Sequence, residues 1–302
     1  MSATWDGSPN PSVLPASAMS VWFDGQYSEP RLHHPEGVAV GLDGAVWCGN
    51  AEGDVLKIDA ETRAIEKVAS TGGFSLGMAF DAAGNLYVCD QRSAAVWRLD
   101  AATRALDRFS GPGIRIPNYP VVDPRRNCLY VSDSFGAGAE GPGVWRYDLG
   151  TGAGALWWDR PMAFANGMAL SEDGQSLYVV ETFGRRVSRI AIGADSAPTG
   201  IAPYVENLPG LPDGLAFDRV GRLYISCYEP SRILRAPAGG GSVEIFAEDV
   251  TAHLVCHPTN IAFSGSALYA ANLGRWHITR IETGVDAESV VSQVQRIAGT
   301  RS

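Results

Sequence analysis

The chain of 302 residues is 45% hydrophobic and 19% charged, and its formal net charge is −9. These proportions are those of a soluble globular protein, and the acidic, evenly mixed charge argues against a nucleic acid or an anionic membrane as the partner. No apolar run approaches the roughly 18–20 residues that span a bilayer. We therefore expect a small-molecule partner, and the sequence predicts no oligomeric state.

The N-terminal stretch Met1 to Ala18 has neither a basic region nor an apolar segment of the kind that a secretory signal carries. We expect residues 1–302 to form a single domain, with 1–17 as an N-terminal extension. The cysteines are odd in number and contain no Cys-x-x-Cys pair, which favours buried free thiols in a reducing cytoplasm. These cysteines are Cys48, Cys89, Cys128, Cys227 and Cys256.

A short phrase recurs six times, from Glu36-Gly37-Val38-Ala39-Val40 to Thr259-Asn260-Ile261-Ala262-Phe263. Its copies begin at Glu36, Leu76, Asn118, Asn166, Asp213 and Thr259. A repeat of roughly 40–50 residues that is built from short β segments is typical of propeller blades. The sequence therefore predicts a six-bladed β-propeller.

Each copy of the phrase is followed by a turn rich in Asp, Asn and Gly and by a second strand such as Leu177-Tyr178-Val179. A third strand and a weaker fourth follow, which predicts four antiparallel strands per blade, all-β, around a central channel. We expect Ser20 to Phe23 to complete the last blade, and Ser289 to Ile297 competes for that place.

Polar residues converge on one mouth of this channel. The position that begins each phrase precedes the innermost strand, so the six positions form a ring, which we call the polar ring: Glu36, Leu76, Asn118, Asn166, Asp213 and Thr259. Each polar residue taken alone is compatible with an ordinary turn. Four oxygen donors at equivalent positions predict a hard divalent cation instead, calcium first, then magnesium or manganese. Zinc is a further candidate ion.

A second set of positions follows the second strand of each blade at the same mouth. We call it the second layer: Asn50, Asp90, Asp133, Glu181, Cys227 and Asn272. Its three acids add to the negative charge around the channel, and a cation would relieve their mutual repulsion. Individual roles are not predicted for these acids, which have Arg92, Arg185 and Arg186 as possible partners.

At these positions the chain resembles the senescence-marker-protein (regucalcin)/gluconolactonase/luciferin-regenerating-enzyme family. The resemblance runs from about residue 30 to about residue 285 and rests on four motifs in the family's order. They are Pro35-Glu36-Gly37, Ile116-Pro117-Asn118, Asn166-Gly167-Met168-Ala169 and Leu211-Pro212-Asp213-Gly214. It implies a metal-dependent lactonase in which Glu36, Asn166 and Asp213 bind the metal and Asn118 binds it or lies beside it. It also implies that Asp213 acts as the general base.

The third blade departs from the sugar-lactonase pattern, which resembles Arg-x-Asn-Asp-Gly. Here Ile116 replaces the arginine and Tyr119 replaces the aspartate. We expect a substrate less polar than a free aldonolactone, contacted by Asn118 and Tyr119 and by Phe74 and Phe135 as walls, although packing between blades would equally explain the aromatic residues.

We therefore expect a metal-dependent hydrolase that acts on a small lactone or ester, with Asp213 taking a proton from water. The alternatives are a phosphotriesterase-like hydrolase, a non-catalytic propeller with a structural calcium, and a relative of strictosidine synthase, which condenses an amine with an aldehyde without metal. Glu36, Asn166 and Asp213 argue against the last. A histidine base, from His33, His34 or His257, is a further alternative, and packing or exposed-loop roles are favoured for these three.

Overall fold

The computed structural model describes residues 12–299 and contains, in that range, six four-stranded antiparallel sheets. The first strand of each sheet packs against the first strands of its two neighbours, and the sixth sheet returns to the first. This closed ring is a six-bladed β-propeller, as the repeat predicts. Residues 1–11 lie outside the described range, so the predicted extension is described only from residue 12.

The strands follow the repeat in chain order. Blade one consists of β2 (Val38–Val40), β3 (Val46–Gly49), β4 (Asp54–Ile58) and β5 (Ile65–Ser70). Blade two consists of β6 (Ser75–Phe80), β7 (Leu86–Asp90), β8 (Ala95–Leu99) and β9 (Leu106–Arg108). Blade three consists of β10 (Pro117–Asp123), β11 (Cys128–Asp133), β12 (Gly141–Asp148) and β13 (Gly154–Met162). Blade four consists of β14 (Ala165–Leu170), β15 (Ser176–Glu181), β16 (Arg186–Ile192) and β17 (Pro198–Val205). Blade five consists of β18 (Leu211–Phe217), β19 (Leu223–Glu229), β20 (Arg232–Ala236) and β21 (Glu244–Glu248). Blade six consists of β22 (Pro258–Ser264), β23 (Ala267–Asn272), β24 (His277–Glu282) and β1 (Met19–Asp24).

Strand β1 (Met19–Asp24) closes the ring, as predicted. It pairs antiparallel with β24, from Met19 opposite Ile281 to Asp24 opposite His277, and so supplies the outer strand of blade six. The competing C-terminal stretch is not a strand, because residues 290–299 form helix α1 (Val290–Gly299). A short 3₁₀ helix (Ala16–Ala18) precedes β1.

Acidic turns join the first and second strands at the far mouth of the channel. Asp43, Asp81, Asp173 and Asp218 each accept a hydrogen bond from the backbone N–H two residues later, at 2.9–3.1 Å. Such Asx turns occupy the backbone of a tight bend, which explains why the repeat places aspartate there. The turns fix where each second strand begins and therefore which residues reach the opposite mouth.

Helix α1 covers this far mouth. Val291 and Val294 are buried against the apolar ends of the inner strands, and a cavity of about 90 Å³ remains between them and the channel wall. The blades pack on one another through buried aromatic side chains, among them Tyr87, Tyr130 and Tyr224. The five cysteines are free and buried, as predicted. Within residues 12–299 no helix is both long enough and apolar enough to span a membrane.

Candidate active site

The polar ring lies on a row of β-bulges. In blades two to six, the residue before each ring position still pairs with the second strand, as Pro117 does with Asp133 and Ala165 with Glu181. Pairing resumes only three residues later, so the ring residue and its successor leave the ladder. A bulge of this kind turns a side chain away from its sheet. The repeat identifies the ring positions, but the bulges make them available to the channel.

Glycine follows the ring residue in four blades because the inner strands approach closely there. A Cβ atom on Gly37 would lie 2.2 Å from the carbonyl oxygen of Leu76, and one on Gly167 would lie 2.3 Å from that of Asp213. Neither contact is possible for a real side chain. Blades three and six have Tyr119 and Asn260 at this position, so only they project a side chain at this level.

Glu36 and Asp213 form an acid pair at the centre of the ring. Burial raises the pKa of Glu36 well above its ordinary value, and the charge of Asp213 raises it further. Burial also raises the pKa of Asp213 to about 7, against hydrogen bonds from Asn166 and Asn260. Two buried acids this close resist ionising together. Either protons or a cation must balance their charge.

The amides of the ring are oriented by hydroxyl groups of the same blade. Asn118 Nδ2 donates to Ser134 Oγ at 3.0 Å, and Asn166 Nδ2 donates to Thr182 Oγ1 at 3.1 Å. Each hydroxyl donates in turn to a carbonyl of the next blade. With the amide nitrogen held at the blade, Asn166 Oδ1 is buried and accepts no hydrogen bond from any described residue.

Asn260 belongs to this site, although it was not predicted from the sequence. Its Nδ2 donates to Asp213 Oδ1 at 3.3 Å, and its own Oδ1 is buried without a donor among residues 12–299. Thr259, the predicted ring position of blade six, instead donates its hydroxyl to the backbone oxygen of Glu36 at 2.8 Å. A signal was present in the sequence, since Asn260 stands where four other blades have glycine.

Three buried oxygens around the acid pair therefore lack a donor from the described residues: Glu36 Oε2, Asn166 Oδ1 and Asn260 Oδ1. Buried acceptors without partners are costly and are rarely left so in proteins. Carboxylate and amide oxygens are the ligands that calcium and magnesium prefer. No group of three or more His, Cys, Asp or Glu side chains suited to a metal occurs in the described part of the chain, so the donor set is two carboxylates completed by amides.

The second layer differs from the polar ring in its hydrogen bonding. The side chains of its three acids and two amides are occupied by hydrogen bonds to nearby loops and strands. Asp133 accepts from the backbone of Arg115, Ile116 and Phe135 and from the indole of Trp145, at 2.9–3.2 Å. Asp90 accepts from Thr71 Oγ1 at 2.5 Å and from the N–H of Ser93 at 2.7 Å.

Glu181 shows the same local role most clearly. Burial raises its pKa, but hydrogen bonds from Arg186, Ser188 and the N–H of Ala163 outweigh that effect and leave the pKa below its ordinary value. Arg186 contacts both carboxylate oxygens at 2.7 Å. Of the three arginines considered from the sequence, Arg186 is the partner of Glu181.

The three aromatic residues predicted to contact substrate occupy different surroundings. Tyr119 is buried in the channel below the ring, where burial and the charges of Cys89 and Asp213 raise its pKa to about 12. Phe74 is half-buried and packs against an inter-blade cluster. Phe135 is half-buried beneath the guanidinium of Arg115, which lies 4.5 Å from its ring centre.

The histidines lie further out at the same mouth. His257 Nδ1 lies 3.0 Å from the backbone oxygen of Tyr228, whose ring centre is 4.6 Å from the imidazole. His34 is half-buried beside His33. Burial, and to a smaller extent the charge of His33, lowers the pKa of His34. Among residues 12–299, neither His34 nor His257 is hydrogen-bonded to Glu36 or Asp213.

A family description matches part of the chain that contains two of the predicted ligands. The model described as "SMP-30/Gluconolactonase/LRE-like region" matches residues 133–271, which include Asn166 and Asp213. The family resemblance drawn from the sequence motifs is confirmed. A second description, "Strictosidine synthase-like, N-terminal", matches residues 26–58, which precede this region and include Glu36.

Known proteins that are similar to the chain carry names of several kinds. It is 24% identical over 225 residues to the adipocyte plasma membrane-associated protein Hemomucin of Drosophila melanogaster, covering 64% of this chain and 38% of that protein. It is 26% identical over 214 residues to strictosidine synthase-like protein 4 of Arabidopsis thaliana, covering 65% and 56%. It is 31% identical over 115 residues to a pentonolactonase of Haloferax volcanii, covering 36% and 38%. The matches thus span from 38% to 56% of the first two of these relatives.

Among solved structures, a gluconolactonase from Xanthomonas campestris superposes with a TM-score of 0.72 at 21% identity, over 92% of this chain and 95% of that one. At this identity the likeness establishes the fold. The SMP-30/gluconolactonase/LRE-like region therefore belongs to a complete propeller that continues on both sides of it.

Proposed function

We propose that this protein is a divalent-metal-dependent hydrolase of a small lactone or ester, with its reaction centre at the polar ring. The observation that carries the proposal is the acid pair surrounded by three buried oxygens that accept no hydrogen bond from residues 12–299. The family region and the pentonolactonase relative support a lactone over other esters.

In this proposal Glu36, Asn166 and Asp213 hold the ion, with Asn260 completing the donors and Asn118 beside them. A divalent ion bound there, calcium in first place, supplies Lewis-acid polarisation of the ester carbonyl. Magnesium, manganese and zinc are the other ions to test. The protein itself keeps the donors in place through the hydroxyls of Ser134 and Thr182.

Asp213 is proposed as the general base. Its carboxylate has one oxygen hydrogen-bonded to Asn260. With a cation held by the site, this carboxylate would be ionised and able to accept a proton from water. Asn118 is proposed to contact the substrate through its amide, and Tyr119, Phe74 and Phe135 are proposed as walls.

The test is proton release from a panel of lactones by protein stripped with a chelator and then supplied with calcium, magnesium, manganese or zinc. We expect hydrolysis only after an ion is restored. Binding of the ion, followed separately by calorimetry, gives the control. Protein that binds the ion and hydrolyses no lactone, aryl ester or phosphotriester would refute the enzymatic proposal and leave a structural ion.

A second candidate, a strictosidine synthase-like condensation of an amine with an aldehyde, is favoured by the match of residues 26–58. It differs from the first because it requires no ion. Condensation product formed equally with and without chelator, and no hydrolysis, would favour it.

We also propose a cytoplasmic location, because all five cysteines are buried free thiols. Such thiols persist most readily in a reducing compartment.

A further inference from the structure

A second ring of side chains surrounds the same mouth, two residues before each position of the polar ring. We call it the apolar collar: His34, Phe74, Ile116, Phe164, Leu211 and His257. All six are half-buried, whereas the polar-ring residues below are buried in five of the six blades. None is an acid, a lysine or an arginine. The repeat therefore places a partly exposed, largely apolar layer above the proposed reaction centre.

The collar is held rigidly. A buried proline separates it from the polar ring in four blades, namely Pro35, Pro117, Pro212 and Pro258. Proline fixes φ and limits the backbone of the residue before it. His34, Phe164 and His257 nevertheless have positive φ values of 51°, 65° and 49°. Bulky residues rarely adopt this conformation, and such outliers concentrate at binding sites.

Further aromatic rings extend the collar outward. Phe183, which is exposed, lies edge-on to Phe164 with ring centres 5.1 Å apart. The ring of Tyr228 packs against the imidazole of His257, with ring centres 4.6 Å apart. Burial and then the charges of Glu36, Glu229 and Asp213 raise the pKa of Tyr228. The carboxylate of Glu229 borders the collar here, with its Oε2 3.3 Å from Nδ1 of His257.

Near blade one, the ring of Trp276 packs against the imidazole of His34, with ring centres 4.9 Å apart. The His34 ring also lies beside that of His33, with ring centres 4.6 Å apart. The collar therefore offers aromatic and aliphatic surface on several blades, with few groups able to bind hydroxyls. Four of its six members, Phe74, Ile116, Phe164 and Leu211, have side chains without a polar atom.

We infer that the apolar collar binds a hydrophobic substituent of the substrate, so that the preferred substrates are lactones or esters carrying an uncharged alkyl or aryl group on the carbon that bears the ester oxygen, which is the γ-carbon of a γ-lactone. This inference rests on the proposed function for the position of the carbonyl. A polyhydroxylated lactone would place hydroxyls against side chains that cannot hydrogen-bond with them, and such hydroxyls lose their water without replacement. An alkyl group loses nothing there and gains from burial.

The experiment uses γ-lactones of one ring size whose γ-alkyl group grows from methyl to hexyl, with a sugar γ-lactone for comparison. Burial of one methylene contributes about 0.8 kcal/mol, which corresponds to about fourfold. We expect kcat/KM, measured by proton release with the ion restored, to rise by up to about fourfold per methylene until the collar is filled. The sugar lactone is expected to be the poorest substrate.

The variants are Leu211→Ser and Ile116→Ser, in two different blades. Each should flatten the dependence of kcat/KM on chain length. Leu211→Met keeps the apolar surface and should keep the dependence. Leu42→Ser is the matched control, because Leu42 is exposed in a turn at the opposite mouth. Thermal melting identifies any variant that fails to fold, and the other collar variant then decides.

Binding of the matching γ-alkyl lactams, which resist hydrolysis, separates the two proposals. Calorimetry should show an affinity that rises with chain length in the parent and is flat in Leu211→Ser. If the lactams bind in this way and no lactone is hydrolysed, the collar stands and the hydrolase proposal fails. If lactones are hydrolysed but neither rate nor lactam affinity depends on chain length, or the sugar lactone is preferred, the collar inference is overturned.

Discussion

Asp213 and Glu181 are both buried acids at the same mouth of the propeller, yet their environments have opposite effects on ionisation. Glu181 accepts hydrogen bonds from Arg186, Ser188 and a backbone N–H, and its pKa is lowered. Asp213 receives only amide donors beside another acid, and its pKa is raised to about 7. Both side chains are buried, so the opposite pKa shifts come from their different hydrogen-bond partners and neighbouring charges.

The two environments separate acids that stabilise the fold from acids that we propose to hold a ligand. In the second layer each carboxylate ties a loop to its own blade, as Asp133 does for Arg115 and Ile116. In the polar ring Asp213 instead receives its hydrogen bonds from Asn166 and Asn260 of the neighbouring blades, and it lies beside a second acid, Glu36. A proton or a cation must balance the charge of these two buried acids.

The largest effect is expected from Asp213→Asn. Because this change removes the proposed base and one charge at the ion, hydrolysis with the ion restored should fall by about 10²–10⁴-fold. Proton release measures the rate, and circular dichroism checks the fold. Glu244→Gln, in the outer strand of the same blade, is the control and should retain full activity. Unchanged hydrolysis in the Asp213 variant would remove that residue from the mechanism.

The next effect is the pH dependence of stability in the ion-free protein. The folded-state pKa of Asp213 is raised to about 7 from an ordinary 3.8, so between these values the folded state binds more protons than the unfolded state. The free energy of unfolding should therefore fall as pH rises through this window, by at most about 1.4 kcal/mol per pH unit from this residue, and level off above it. Urea unfolding from pH 4 to pH 8 in chelator measures it. Asp213→Asn should reduce the slope, and an equal slope in both proteins would contradict the assignment.

Glu181→Ala tests the other half of the comparison. It leaves Arg186, Ser188 and the N–H of Ala163 without their acceptor, and we expect the free energy of unfolding to fall by about 1–3 kcal/mol. Glu61→Ala, at an exposed position, should change it little. The affinity for the ion, measured by calorimetry, should stay the same in Glu181→Ala. A large loss of ion affinity would place Glu181 at the ion after all.

The smallest effect contrasts two buried asparagines of blade six. Asn260→Ala should weaken calcium binding by about tenfold, because it removes a donorless oxygen beside Asp213. Asn272 is fully occupied by Cys256, Ala270 and Thr279, so Asn272→Ala should lower stability and leave ion affinity unchanged. Calorimetry and urea unfolding on both variants give the result. The reverse pattern would show that Asn260 only packs.

Sequence by itself determined the repeat and much of the architecture that the repeat implies. The recurring phrase predicts six blades because each blade is a local unit whose turns and strands are set by nearby residues, as Asp43 and its Asx turn illustrate. The same alignment brought Glu36, Asn118, Asn166 and Asp213 to equivalent positions, and it anticipated closure by β1. Their roles as ligands remain proposals.

Only the tertiary structure decided which polar groups face one another. The bulges that free the polar ring, the turn of Asn260 toward Asp213 and the occupation of Asp133 and Glu181 by local donors all depend on neighbouring strands and blades. The same holds for helix α1, whose place over the far mouth follows from the apolar surface left there rather than from its strand-like residues. Local patterns fix backbone conformation, whereas hydrogen-bond partners and burial arise only when distant segments meet.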